Sequence, residues 1–325
     1  MANALDLLRA DHRTAAWLAG LESDDSPDVE LVPPDALTLL DLAVPHEDVN
    51  EILALAGTVL DDPGLRWLLG RCARRLVRDM GAAGIAFDLP YLPAELGAAG
   101  RYLHLYAFVA ALPHVRAYHR EHGVPADVSR HTLADLGRNL AVHRRRHGVG
   151  GVIQPSWIQL HFRGVLYQLG RLQFERTVLG GRMGAAVASA LPAGPGSPAL
   201  SLHIPDFSGP LTPAACDDSL ARARAFFPRH FPGETCAVAV CFSWLLDPQL
   251  ADHLPDTANI VAFQRRFRPG YRNEEPNDAG PIEFVFGDPA LTVDELSPRT
   301  TLEHAVVAHL RAGGHWYDGN GWFPL

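Results

Sequence analysis

Lysine is absent from this chain of 325 residues, in which all 28 basic residues are arginine. A Schiff-base mechanism and a lysine general base are therefore excluded, because both need the ε-amino group of lysine. The bias is typical of an alanine- and arginine-rich coding background and does not by itself indicate guanidinium binding sites.

Cysteine and long apolar runs are also scarce. The four cysteines are too few and too scattered for a disulfide framework. No run of roughly 18 uncharged apolar residues is present, as a membrane-spanning helix would need. The first residues carry Asp6 and Asp11, where a secretory signal would be basic and then apolar. We therefore expect a cytoplasmic protein whose thiols are buried.

The charge balance is acidic, with a net charge of -9 and a pI near 5.9. Such a surface argues against nucleic acid or a membrane as the main partner, since both are bound through basic faces. The sequence also lacks H-E-x-x-H, G-x-S-x-G, and a G-x-G-x-x-G that follows a strand. We expect no metal site, no α/β-hydrolase and no redox dinucleotide site.

The first half of the chain has the periodicity of helices. Apolar residues fall at i, i+3, i+4, i+7 and i+11 from Leu65 to Leu76, the single stripe of an amphipathic helix. In the helix predicted over 101–121, Pro113 should cause a kink or a break. Thr132 and Asp135, at capping-box spacing, should open a later helix. That later helix is predicted over 132–146, and two further helices are predicted over 3–20 and 47–60.

From about residue 156 the period changes to that of strands. Residues 165–174 alternate around Gly170 as in a β-hairpin, and residues 235–246 are apolar on both faces, as in a central strand. Strands are also predicted over 200–205, 259–267 and 281–287, helices over 212–228, 248–256 and 300–314, and a loop over 180–198. We predict an α+β or α/β chain of two domains. A helical domain, 1–148, precedes a mixed β-sheet domain flanked by helices, 149–325.

Four segments are distinctive in combination: LYQLGRLQFE at 166–175, LHIPDFSGPLTPAACDDSLARARAFF at 202–227, CFSWLLDPQL at 241–250 and ANIVAFQRRF at 258–267. With these residues the second half resembles the GNAT-like C-terminal domain of bacterial acyltransferase domain-containing proteins. The first half resembles their helical N-acyltransferase N-terminal domain. The likeness spans nearly the whole chain.

The resemblance implies a core in which the pantetheine arm of an acyl-CoA cosubstrate inserts where two parallel strands splay apart. Here those strands would be 200–205 and 235–246. The pyrophosphate would lie on the N-terminus of the helix that follows the first strand, because free N–H groups there bind anions. The usual phosphate signature, Gln/Arg-x-x-Gly-x-Gly/Ala, is absent from 206–211. No permanently bound cofactor is implied, and the residues expected to hold the cosubstrate are Ile204, Ser208, Gly209 and Leu211.

Acyl transfer to an amine needs a base, donors for the oxyanion and an acid for the leaving thiolate. His203 ends its predicted strand, where ligands collect in open α/β sheets, and is the candidate base. Cys241 and Ser243 share one face of the central strand, so a thiol or a hydroxyl could approach the thioester sulfur. Glu175 could act as a base through water. For all four, the alternative is a structural role in packing, hydrogen bonding or solvation.

The leading hypothesis is an acyl-CoA-dependent N-acyltransferase that acts on a small-molecule or peptide amine. The alternative, which the absent signature favours, is a GNAT-shaped module that binds a ligand or partner without CoA-dependent catalysis. A third hypothesis is a cysteine hydrolase in which His203 activates Cys241.

Overall fold

The computed structural model describes residues 4–85 and 88–325, which form two compact units. The first unit is Met1–Tyr167 and the second is Gln168–Leu325. The sequence-based boundary at residue 148 falls within the first unit. Each unit has hydrophobic core clusters of its own.

Helices form the framework of the first unit, and their apolar faces share one core. They are α1 Ala4–Ala10, α2 His12–Glu22, α3 Ala36–Asp41, α4 His46–Asp61, α5 Pro63–Arg78, a 3-10 helix Ala94–Leu96, α6 Gly97–Glu121, α7 Ala126–Leu133, α8 Asp135–His147 and α9 Pro155–Phe162. The stripe predicted from Leu65 to Leu76 is buried in α5. Asp62 caps this helix by accepting hydrogen bonds from the N–H groups of Gly64 and Leu65. Full burial of each leucine contributes about 2 kcal/mol relative to exposure.

This unit differs from the sequence predictions in several details. The helix predicted over 3–20 is two helices, α1 and α2, and α3, α7 and α9 are not predicted. Helix α6 continues without a break through Pro113, which lies on its exposed side. The predicted start at Thr132 is wrong. Thr132 is buried in the last turn of α7, and α8 begins at Asp135 without a side-chain cap. Burial of Thr132 and Leu133 therefore outweighs the capping preference at this point.

A mixed sheet of six strands lies in the described part of the chain, with the order β1-β2-β3-β4-β6-β5. The strands are β1 Leu166–Leu169, β2 Leu172–Val178, β3 Pro198–His203, β4 Val238–Ser243, β5 Arg268–Arg272 and β6 Gly319–Pro324. The helices around it are α10 Gly181–Ala188, α11 Pro213–His230, a 3-10 helix Trp244–Leu246, α12 Leu250–His253, α13 Asn259–Gln264, α14 Ala279–Phe286 and α15 Thr301–Arg311. Strands β3 and β4 are parallel, whereas β2–β3, β4–β6 and β5–β6 are antiparallel. The predicted class, a helical region followed by a mixed sheet with flanking helices, is confirmed.

The strand register assigns each residue to one of two sheet faces. Ser201 pairs with Glu175 on β2 and with Val240 on β4. Because alternate residues of a strand share a face, His203 and Phe242 lie on the same side as these three. These five residues define the His203 face.

The opposite side of the sheet carries Phe174, Leu202, Cys241 and Ser243, by the same alternation. Helix α11 packs here, with the Phe227 ring at 6.3 Å from the ring of Phe174. We name this side the α11 face.

Two of the predicted strands are wrong. Residues 259–267 form α13 and the turn that follows it, because Val261 packs into the core of the second unit from a single helical turn. Residues 281–287 alternate as a strand does, yet they belong to α14. Pro281 lies in the first turn of that helix, and Gly287 ends it with φ +89°, both of which are helix signals.

The segment 180–198, predicted to be a loop, begins with helix α10. Met183 and Val187, four residues apart, are buried together in an apolar cluster against the sheet. The glycines at both ends of the segment mask this short helical period in the sequence.

Candidate active site

The hydrogen-bonded ladder between β3 and β4 is short. Among the described residues only two pairs join these strands, and the second pair is Ser201 with Val240. Beyond it β3 continues to His203 and β4 to Ser243, while each stays paired with its outer neighbour, β2 or β6. The sheet is therefore open between β3 and β4 at their C-terminal ends, as the resemblance implied.

His203 and Glu175, proposed separately from the sequence, form a pair beside this opening. The distance between His203 Nε2 and Glu175 Oε2 is 2.9 Å, and both side chains are about one-fifth exposed, at 23% and 19%. A carboxylate can only accept, so Nε2 carries a proton and donates it to Glu175. In the neutral ring the lone pair is then on Nδ1. The arrangement orients a histidine for proton transfer.

Ser243 lies on the α11 face at the end of β4. Its Oγ accepts a hydrogen bond of 3.1 Å from the N–H of Leu245 and so caps the short 3-10 helix. That contact uses a lone pair of the hydroxyl and leaves its own proton to be donated. Ser243 therefore has a structural role and can also supply a proton.

The structure does not bring Cys241 and His203 together, because the two side chains lie on opposite faces of the sheet. Cys241 is 2% exposed, and burial raises the pKa of its thiol to about 12. A thiol of this kind is not a nucleophile near neutral pH, since the thiolate is the reactive form.

The four residues expected to hold a cosubstrate follow β3. Ile204 packs against the core that contains Trp244, and Leu211 is buried. Ser208 is half-buried, and Gly209 is exposed with φ +79°. In this part of the described chain the backbone N–H groups of Ser208, Gly209 and Leu211 have no acceptor in the protein. They are available to an anion.

The N-terminus of α11 is partly occupied by its own cap. Thr212 Oγ1 accepts a hydrogen bond of 3.3 Å from the N–H of Ala215, and Pro213 has no N–H to offer. An anion at this helix would therefore rely on the preceding loop and on the helix dipole.

Arg171 was not predicted to take part in this region. It is 9% exposed, and its Nη1 donates a hydrogen bond of 2.9 Å to the carbonyl of Pro205, at the start of the loop. Its backbone N–H donates to Ser219 Oγ on α11. Burial lowers the pKa of the Arg171 guanidinium. Arg171 thus ties the β1–β2 turn to the start of the loop and to α11, a role that no local sequence pattern indicates.

Asn320 is the other residue that the sequence analysis missed. It pairs with Phe242 across β4 and β6 and is 8% exposed. Among the described residues its Nδ2 has no hydrogen-bond partner. It is 78 residues from Phe242 in the chain, so only the fold could reveal its position.

Within residues 4–85 and 88–325, no group of three or more histidine, cysteine, aspartate or glutamate side chains is placed to hold a metal ion. None of the helices in those ranges combines the length and the apolar character that crossing a bilayer requires.

Two family models match the chain. The N-acyltransferase N-terminal domain matches residues 35–164, and the GNAT-like C-terminal domain matches residues 166–323. None of the curated proteins matches it.

Solved structures of acyltransferases match essentially the full chain. An acyltransferase mutant in complex with octanoyl-CoA is 40% identical, with 100% of both chains covered and a TM-score of 0.88. An acyltransferase in complex with decanoyl-CoA and teicoplanin is 41% identical, with 98% of this chain and 97% of the other covered and a TM-score of 0.87. An acyltransferase in complex with CoA and 10C-Teicoplanin gives the same values.

These similarities confirm the predicted resemblance, and with it the assignment of a GNAT-type transferase. The chain belongs to the family of two-domain acyltransferases that join an N-acyltransferase N-terminal domain to a GNAT-like C-terminal domain.

Proposed function

We propose that this acyltransferase moves a medium-chain acyl group from acyl-CoA to an amine of a glycopeptide-type acceptor. The observation that carries the proposal is the opening between β3 and β4, beyond the pair of Ser201 and Val240. It has a candidate base on one face and a candidate acid on the other.

The donor would enter from the α11 face. Its phosphates would meet the backbone N–H groups of Ser208, Gly209 and Leu211 and the positive end of the α11 dipole. Ser243, on the same face, would protonate the thiolate as it leaves. Arg171 would hold the start of this loop through the carbonyl of Pro205.

The acceptor would approach from the His203 face. His203 would remove a proton from the attacking amine, and Glu175 would stabilise the imidazolium that results. Backbone N–H groups of β4 that face the opening, without a partner on β3, would stabilise the oxyanion. The amine would attack from the His203 face and the thiolate would leave on the α11 face, so the two proton transfers would use different groups.

The substrate classes come from the similar acyltransferases, whose structures contain octanoyl-CoA, decanoyl-CoA and teicoplanin. Identity of 40% to 41% over nearly the full chain supports the same classes of donor and acceptor here. A glycopeptide amine agrees with the small-molecule or peptide amine expected from the sequence.

The direct test is to incubate the purified protein with decanoyl-CoA and a teicoplanin-type glycopeptide that carries a free amine. We expect release of CoA thiol matched by a glycopeptide that gains one decanoyl group, measured by mass spectrometry. His304→Ala, at an exposed histidine, is the control for the variant His203→Ala and should leave the rate unchanged. Thiol release without an acylated product would indicate a hydrolase and contradict the proposal.

Binding of the donor can be tested without turnover. A ligand present at 100 times its Kd stabilises a protein by about 2.7 kcal/mol. We expect decanoyl-CoA at millimolar concentration to raise the melting temperature. An unchanged melting temperature would support the module that binds no CoA.

A further inference from the structure

Two histidines of the second unit form a contact that the proposed function does not use. His253 ends helix α12, and His309 lies near the end of α15. The distance between His253 Nε2 and His309 Nδ1 is 3.0 Å, although the residues are 56 positions apart in the chain. Both side chains are half-buried, so water and small ions can reach them.

Packing fixes the backbone of both histidines. Leu254 follows His253 and Leu310 follows His309, and the two leucines are buried in one apolar cluster. A site on helices that are held by packing keeps its geometry better than a site on loops. The two imidazoles are therefore brought together by the core of the unit and do not depend on a mobile segment.

The ring of His309 is confined by the segment that follows α15. The ring of Trp316, which is fully buried, has its centroid 4.2 Å from that of His309. The backbone at Gly314 approaches the same ring so closely that a Cβ there would lie 2.5 Å from it. Rotation of this imidazole is thus restricted before any ligand binds, which lowers the entropy cost of binding.

The hydrogen bonds of His309 determine which of its nitrogens can bind a ligand. Its Nε2 is 3.1 Å from the carbonyl oxygen of His315, which can only accept, so Nε2 carries the proton. In the neutral ring the lone pair is then on Nδ1, the atom that faces His253. Histidines that bind a metal have this arrangement, with the other ring N–H donated to a backbone carbonyl or a carboxylate.

The separation of the two nitrogens indicates the kind of ion that fits. With metal–nitrogen bonds of about 2.05 Å, two nitrogens 3.0 Å apart subtend an angle of about 94° at the metal. This angle suits neighbouring positions around a square-planar or octahedral ion, such as Cu²⁺ or Ni²⁺. A tetrahedral ion such as Zn²⁺ needs an angle of about 109°, and hence a separation of about 3.3 Å.

We propose that His253 and His309 form a binding site for a divalent transition-metal ion of the Cu²⁺ or Ni²⁺ class. On binding, the proton of His253 would move from Nε2 to Nδ1 through solvent, so that both facing nitrogens offer a lone pair. Within the described residues no third histidine, cysteine or carboxylate joins the pair, so water would fill the remaining positions. The ion would link α12 to α15. The proposal goes beyond the proposed function and does not depend on it.

A second pair of neighbouring histidines provides the matched control. His143 and His147 lie one turn apart on α8, with ring centroids 4.6 Å apart. Three arginines, Arg144, Arg145 and Arg146, lie between them in the chain, and their positive charge disfavours a bound cation. We therefore expect His143→Gln to leave metal binding unchanged.

The test titrates the whole chain, purified without a histidine tag, with Cu²⁺ and with Ni²⁺ by isothermal calorimetry. The native chain should bind one ion at this site. His253→Gln and His309→Gln should each lower the association constant at least ~10-fold, since loss of a group that only orients a metal ligand already costs about 10- to 100-fold. His143→Gln and His304→Gln, the second at an exposed histidine of α15, should keep the native value.

Spectroscopy identifies the ligands directly. Electron paramagnetic resonance of Cu²⁺ bound to the native chain should show coupling to two imidazole nitrogens, and this pattern should be lost in His253→Gln. Circular dichroism checks that each variant is folded. The proposal would be overturned if both variants of the pair kept the native affinity, if His143→Gln lost it instead, or if Zn²⁺ bound more tightly than Cu²⁺ and Ni²⁺.

Discussion

Two buried histidines of the helical unit differ from the candidate base of the sheet unit in burial and in partner. In the helical unit His104 and His119 are 4% and 1% exposed, and their neutral rings bond to the carbonyl of Pro90 and the hydroxyl of Ser129. Burial lowers the pKa of each to about 4. In the sheet unit His203 is partly exposed and bonds to the carboxylate of Glu175. Burial and partner, which the sequence does not state, separate a structural histidine from a candidate base.

The two units also differ in structure. The helical unit buries its apolar residues in one continuous cluster. In the sheet unit, the neighbouring strands β3 and β4 are not paired with each other at their C-terminal ends. An open ladder forgoes backbone hydrogen bonds, and such openings are typical of sites that admit a ligand.

Replacing the candidate base should have the largest effect on turnover. His203→Ala should lower kcat/KM by about 10² to 10⁴-fold, because general-base catalysis contributes a factor of this size. His104→Ala should instead lower the free energy of unfolding and leave the rate per folded molecule unchanged. Steady-state kinetics together with urea unfolding measure both. If both variants lost the same activity per folded molecule, the proposed difference in role between His203 and His104 would be wrong.

Acid should destabilise the helical unit through its buried histidines. Between an unfolded pKa of about 6.5 and a folded pKa of about 4, the unfolded chain binds a proton that the native ring does not. Stability is therefore fully present above pH 6.5 and falls as the pH decreases toward 4, by up to about 3 kcal/mol for each ring. Urea unfolding of His104→Gln and His119→Gln should show a shallower dependence on pH. A slope identical to that of the native chain would show that the rings are not held neutral.

Removing the partner of the base should have a smaller effect. Glu175→Gln should lower kcat by about 10-fold or more but by less than His203→Ala does, because the amide no longer stabilises the imidazolium while the imidazole can still accept a proton. KM for donor and acceptor should stay unchanged, because Glu175 acts through His203. Glu175→Asp should recover part of the rate. A change in KM alone would place Glu175 in substrate binding instead.

The smallest effect is expected at Cys241. Because burial raises the pKa of the Cys241 thiol to about 12, very little of the reactive thiolate is present near neutral pH. Cys241→Ala should keep turnover, and iodoacetamide should not label Cys241 in the native protein. Mass spectrometry of the labelled peptide checks this. Stoichiometric labelling of Cys241, accompanied by loss of activity, would support the cysteine-hydrolase hypothesis.

Much of the fold follows from local patterns, and the failures have local causes. The stripe from Leu65 to Leu76 predicts α5 because a fully one-sided pattern suits only a helix. The apolar pattern of 281–287 fits both a strand and a helix of two turns, so Pro281 and Gly287 are the signals that distinguish the two.

The sequence proposes the candidate site residue by residue but not as an arrangement. His203 is proposed from its place at the end of a strand, and Glu175 from its place in the hairpin. Their contact depends on the antiparallel register of β2 and β3, which sets Glu175 opposite Ser201. Asn320 joins the same face through β6, and no short-range pattern connects it to the others.

Hydrogen–deuterium exchange with and without CoA tests the opening most directly. The account predicts slower exchange in peptides that cover 206–212 and 240–243 once CoA is bound, because backbone N–H groups in these segments, those of Ser208, Gly209 and Leu211 among them, then face the ligand. Helix α5 in the other unit provides the internal reference and should not change. Protection absent from these two segments, with CoA bound elsewhere, would contradict the account.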